Sequence, residues 1–124
     1  MSNNKRRVVV TGLGTLSPNG MSTEAFWQAL LNGESGISYI ERFDTTDFRV
    51  HIGAELQGFN PENFGISRKE ARRTDLCTQY ALATASMALE DAGLDPFFEN
   101  PERVGVIYGS GIGGIITFED QHTK

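Results

Sequence analysis

Along the chain, apolar residues first gather in Val8-Val9-Val10-Thr11, an unbroken β-branched run that predicts a parallel strand covered on both faces, ended by Gly12-Leu13-Gly14. After Ser17-Pro18-Asn19-Gly20 the period changes. Phe26, Trp27, Leu30 and Leu31 recur on one helical face, with Ser22 as N-cap, Glu24 in the positive first turn and Gly33 as the C′ stop. From Ser35 to Ser67 the chain is broken by Gly36, Gly53, Gly58, Pro61 and Gly65, which predicts mostly loop, with a short alternating strand at Val50–Ala54. From Arg68 to Ala92 the spacing predicts one long, wide-faced, buried helix. Leu76, Tyr80, Ala83 and Met87 line it, Cys77, Ala81 and Ala88 flank them, and its alanines allow close approach of a neighbouring backbone. Gly93-Leu94 followed by Pro96 supplies the stop. Val104-Gly-Val-Ile-Tyr108 predicts a second buried strand, delivering Gly109-Ser-Gly-Ile-Gly-Gly114. A helical pattern begins at Ile115 and reaches Lys124 without a stop signal, so the chain reads as cut rather than finished.

Composition narrows the class. A length of 124 residues fits one domain, and 39% apolar with 22% charged residues fits a soluble globular protein. Sixteen acids against eleven bases give a net charge of −5, which argues against a general nucleic-acid binder, since phosphate neutralisation requires a basic surface. No apolar stretch approaches the roughly 18 residues that would span a bilayer, so no membrane role is expected and a cytoplasmic address is the default. Cys77 is the single cysteine and forms no internal disulfide; with the distant His51 and His122 it makes no zinc site, and no metal or cofactor is expected.

Each candidate for chemistry has a plainer competitor. Gly109, Gly111 and Gly114 satisfy G-x-G-x-x-G after a predicted strand, but a dinucleotide fold needs a full helix and an acid-ended strand about 20 residues later, and only ten residues remain. The alternative is that these glycines allow positive φ and close packing where a strand turns at the edge of a site. Ile112 then projects from the loop either as ordinary core or as the wall of an apolar tunnel. Arg68, Lys69, Arg72 and Arg73, interrupted by Glu70, share one broad helical face, which is either solvated or a docking patch for an acidic partner. Cys77 falls inside the alanine-rich helix without a recognisable base, the setting of an inert packing thiol. No catalytic residue follows from the chemistry of these side chains.

Taken in order, Arg7-Val-Val-Val-Thr-Gly-Leu-Gly14 with Ser17-Pro18 and Gly20, Gly33-Glu-Ser-Gly-Ile37, Phe43-Asp44, the basic segment Arg68–Asp75 and Val104-Gly-Val-Ile-Tyr-Gly-Ser-Gly-Ile-Gly-Gly114 resemble consecutive landmarks of the β-ketoacyl-acyl-carrier-protein synthases. The Ser-Gly-Ile-Gly-Gly form resembles the type II elongating enzymes. The resemblance covers essentially the whole chain and implies an α/β, thiolase-like fold of αβαβα layers, of which residues 1–124 would be an incomplete N-terminal part of the first half. It implies a homodimeric cytoplasmic acyltransferase of fatty-acid synthesis that condenses acyl and malonyl thioesters carried on acyl carrier protein. The family's nucleophilic cysteine and two histidines would lie beyond Lys124. Cys77, His51 and His122 match none of them, so the chain alone is expected to be inactive. By the same resemblance Lys69, Arg72 and Arg73 fall on the carrier-protein docking helix and Ile112 on an acyl-pocket position near the dimer interface. A chain-length-factor-like or polyketide-type relative is the alternative, and a nucleotide-binding α/β domain a more distant one.

Overall fold

The computed structural model describes residues 6–95 and 98–123. Pro96, part of the expected helix stop, lies outside the described residues.

Local signals build the first helix, α1, over Thr23–Leu31. Ser22 takes the extended N-cap conformation and its Oγ accepts from Ala25 N at 3.1 Å. At the other end Gly33, with φ of 68°, lets Gly33 N reach Leu30 O and Glu34 N reach Ala29 O, the paired closure that ends a helix at a left-handed residue.

Next comes a small antiparallel ribbon, β1 (Ser38–Tyr39) with β2 (Ile52–Gly53), in the register Ser38 to Gly53 and Tyr39 to Ile52. It is extended by Ile40 N to His51 O at 2.9 Å. The expected strand at Val50–Ala54 is therefore present at its centre. Beyond it, Pro61–Phe64 forms a single 3₁₀ turn.

The single helix expected over Arg68–Ala92 is two: α2 (Arg68–Ala71) and α3 (Leu76–Asp91). The break has a physical cause. The buried amide of Gln79 reaches back from α3 and its Nε2 donates to Ala71 O and Thr74 O, both at 2.9 Å, satisfying carbonyls that a continuous helix would have paired internally. Helix α3 ends with the same paired closure as α1, Gly93 N to Glu90 O and Leu94 N to Leu89 O.

Residues around α3 form the packed centre. Ala83 is wholly buried, and Ala29 and Ile66 are nearly so. Leu76, Tyr80 and Met87 are half-buried, so α3 is covered on one side rather than enclosed as expected. Phe59 stands edge-on to Tyr80 at 4.8 Å and stacks on Phe64 at 5.4 Å, joining the 3₁₀ turn to α3. Arg42 donates to Leu56 O at 3.1 Å and to Tyr80 Oη at 2.9 Å, joining the ribbon to it. The segment Gly12–Gly14 lies directly on the α3 backbone. A Cβ on Gly12 would overlap the Ala88 carbonyl oxygen and one on Gly14 that of Thr84, while Leu13 N donates to Asp91 Oδ2 at 2.8 Å. The close approach expected of the alanine-rich helix is thus made by these glycines.

Two expectations are corrected. Val8–Thr11 and Val104–Tyr108 form no hydrogen-bonded strand, and the only sheet among the described residues is the two-stranded antiparallel ribbon. Val8, Val10 and Val106 are at least four-fifths exposed and Ile107 fully so. A parallel strand is stable only between neighbouring strands and under cover on both faces, and no described segment supplies either. The cost appears in the whole surface: 10585 Å² is accessible, against about 6,600 Å² for a compact monomer of 13.6 kDa. The chain closes with a 3₁₀ turn at Pro101–Arg103 and helix α4 over Ile115–His122.

Candidate functional site

The basic segment starts at a reciprocal helix cap. Ser67 Oγ accepts from Glu70 N at 3.3 Å while Glu70 Oε2 accepts from Ser67 N at 3.0 Å and from Ser67 Oγ at 2.6 Å. These bonds, the side-chain one foremost, hold the Glu70 carboxyl below the usual glutamate range. The one acid in the basic run is thus turned onto the helix end.

Lys69 lies within α2, Arg72 is its C-cap and Arg73 follows it. The bases do not share the face of one long helix, as expected from their spacing, because α2 is a single turn. All are nonetheless exposed on one short stretch. Arg68 pairs with Glu62 at 2.9 Å, while Lys69, Arg72 and Arg73 make no ion pair among the described residues. Three free cations thus stand together on a chain that is acidic overall.

Two residues beyond Arg73, Asp75 adopts the N-cap conformation of α3 without capping it through its side chain. Its carboxylate accepts from Thr117 Oγ1 in α4 instead, and lies so close to Gly114 that a Cβ there would overlap it. The glycine turn is closed by Gly113 N to Ser110 Oγ at 3.1 Å, with Gly113 at φ of 77°. Ile112 sits at the tip of this turn, 79% exposed. Of the glycines at 109, 111 and 114, only Gly114 is at a close approach and none has positive φ, so the packing expected of all of them is confined to one.

Tyr108, which leads into the turn, lines a cavity of about 330 Å³ with Pro18, Arg42, Glu55, Tyr80 and Thr84. A second, more apolar hollow of about 300 Å³ lies between Gly12, Ala88, Leu89, Phe98, Val104 and Val106. Ile112 lines neither. Cys77 occupies the first turn of α3, half-buried, rather than the helix interior that its sequence position implied. His51 Nδ1 is 3.2 Å from Thr45 Oγ1 and His122 stacks on Phe118 at 6.3 Å, so the three are dispersed. No group of metal-ligating side chains occurs among the described residues, and no helix there is long and apolar enough to cross a membrane.

The sequence pattern did not disclose the Asp75–Thr117 pair, because its members lie 42 positions apart and neither belongs to a local motif. The α2–α3 break was equally hidden. Its one available sign was an Asp inside a helical pattern, a residue that favours caps over helix interiors.

Along the chain, then, a glycine-bearing segment lies on an alanine-rich helix, a basic turn immediately precedes that helix and a glycine loop follows it. Residues 5–124 match the family model of the β-ketoacyl synthase N-terminal domain. The chain therefore belongs to the β-ketoacyl synthase family. It is 51% identical over 118 residues to the 3-oxoacyl-[acyl-carrier-protein] synthase 2 of Vibrio cholerae, a match covering 95% of this chain and 28% of that protein. It is 49% identical over its full length to the protein of the same name from Staphylococcus aureus strain COL, covering 30% of it. Among solved structures it is similar to the ishigamide ketosynthase/chain length factor, with a TM-score of 0.76 and 32% identity over 95% of this chain and 30% of that one. The glycines of the 109–114 turn lie inside the synthase match, which sets aside the dinucleotide alternative. The chain spans less than a third of the length of these relatives.

Proposed function

We propose that the chain is the N-terminal part of a 3-oxoacyl-acyl-carrier-protein synthase II, whose complete form lengthens acyl chains in fatty-acid synthesis. In that reaction an acyl group passes to a cysteine thiolate, malonyl-carrier protein loses CO₂, and the resulting carbanion attacks the acyl thioester. The cysteine leaves as thiolate and the product is a 3-oxoacyl thioester two carbons longer. The cysteine and its two histidines belong to sequence following Lys124, and residues 1–124 alone are inactive. The complete protein is a cytoplasmic homodimer with αβαβα layers. The observation that carries this proposal is the half identity to synthases of that name across nearly the whole chain.

Within this segment, Lys69, Arg72 and Arg73 dock the acidic acyl carrier protein, supported by their exposure and by their making no ion pair among the described residues. Ile112 contributes to the acyl pocket. In the complete synthase, Lys69→Glu with Arg72→Glu is expected to weaken carrier affinity at least tenfold and flatten its salt dependence. Unchanged affinity and salt slope would remove the docking assignment. Incubating the complete protein with acyl- and malonyl-carrier protein should release CO₂ and the elongated 3-oxoacyl product.

The ketosynthase/chain-length-factor neighbour favours a second reading, a relative that binds carrier-bound chains without condensing them. Carrier binding without CO₂ release would select it.

A further inference from the structure

Among the described residues, one hydrogen bond joins residues 104–123 to residues 6–95: Thr117 Oγ1 to the Asp75 carboxylate. Both ends are placed with consequence. Asp75 stands two residues after Arg73, at the N-cap of α3, where an aspartate ordinarily accepts from the first-turn amides of its own helix. It forgoes that bond. Its carboxylate is directed to the third residue of α4, a helix whose own N-cap, Gly114, has no side chain to offer. The negative charge that α4's N-terminus favours is thus supplied from the basic segment.

The same carboxylate fills the space over Gly114 that any side chain would need. Ile112 therefore lies within the turn closed by Ser110 and Gly113, and the Gly114–Asp75 contact anchors that turn at its C-terminal end. Its place is referenced to the start of α3 and hence to the bases beside it.

We propose that Asp75 and Thr117 are positioning residues for acyl-chain selection, fixing Ile112 relative to the carrier-docking bases. The proposal rests on the synthase reading above and adds residues to it. A displaced Ile112 affects only those acyl chains long enough to reach it, which separates this role from general support of the fold.

The test uses the complete synthase and acyl-carrier primers of graded length. Thr117→Val, which keeps the size of the side chain and removes the donor, is expected to raise KM for the longest primers about fivefold. The kcat and KM for short primers should stay at parental values, and Thr117→Ser should restore the long-primer KM. Gly114→Ala, which displaces the carboxylate from the other side, should reproduce the long-primer penalty and serves where Thr117→Val does not fold. Ile112→Phe is the control for the pocket itself and should exclude long primers. If Ile112→Phe changes the profile while Thr117→Val and Gly114→Ala leave it at parental values, the positioning role is overturned and the pocket assignment stands. If Ile112→Phe leaves the profile unchanged, the pocket assignment falls and the positioning role falls with it. An equal loss on short and long primers that Thr117→Ser does not rescue would reduce the pair to fold support and overturn the proposal.

Discussion

Two regions of the molecule, residues 12–94 and 104–109, draw on the same small and branched apolar residues and reach opposite states. Around α3 the glycines meet backbone and Ala83 is wholly buried; in the later segment Ile107 is fully exposed and Gly105 and Gly109 have open space beside them. The difference lies in where each element finds its hydrogen bonds. A helix closes its bonds within four residues, and α1 and α3 also carry their own stops, so both form from nearby sequence. A strand must borrow its partners from elsewhere in the chain, and an apolar run alone cannot supply them.

The sharpest way to break this contrast is a matched pair of glycine substitutions. Gly14→Val places atoms where the Thr84 carbonyl already stands and should cost about 3 kcal/mol or more, seen as lost protease protection and helical signal of α3. Gly109→Ala, facing open space, should stay within about 0.5 kcal/mol. Equal effects would mean that the two regions are packed alike.

Gln79→Leu comes next. It leaves the carbonyls of Ala71 and Thr74 without their donor and should cost about 2 kcal/mol in urea unfolding. A neutral outcome would show that the α2–α3 break has another support.

The smallest effect is one of pH. Because Glu70 titrates below its ordinary value of 4.5, its cap bonds contribute fully above that value and are lost as pH falls through the lowered one. The protection of the Ser67 amide, taken relative to its intrinsic exchange rate at each pH, should therefore fall on acidification in the native chain and stay flat through that window in Glu70→Gln.

How much could be foreseen follows the same division. Helix α1 was legible to its ends because Ser22 and Gly33 act on their immediate neighbours. The break between α2 and α3 was not, since it depends on Gln79 turning back across several residues and on Asp75 facing a helix far along the chain. The ribbon was half legible: Ile52 lay in an alternating run, whereas Ser38–Tyr39 has no pattern of its own and is a strand only through its partner. At the candidate site the bases were visible as a cluster, but their arrangement on a single turn was not. Ile112 stood out through family likeness, while nothing in the spacing of residues indicated the tie that holds its turn.

The seam between Gly12–Gly14 and α3 also limits how the helix can change over time. Because the glycines rest on a narrow track of Thr84 and Ala88 backbone bordered by the Ala92 side chain, Ala92 has almost no latitude in size, whereas Ser86 and Glu90 on the open side are free to drift. Inserting one residue between Tyr80 and Thr84 would swing that narrow track about 100° away from the glycines. Length variation is therefore barred from the middle of α3 and left to the turns at either end.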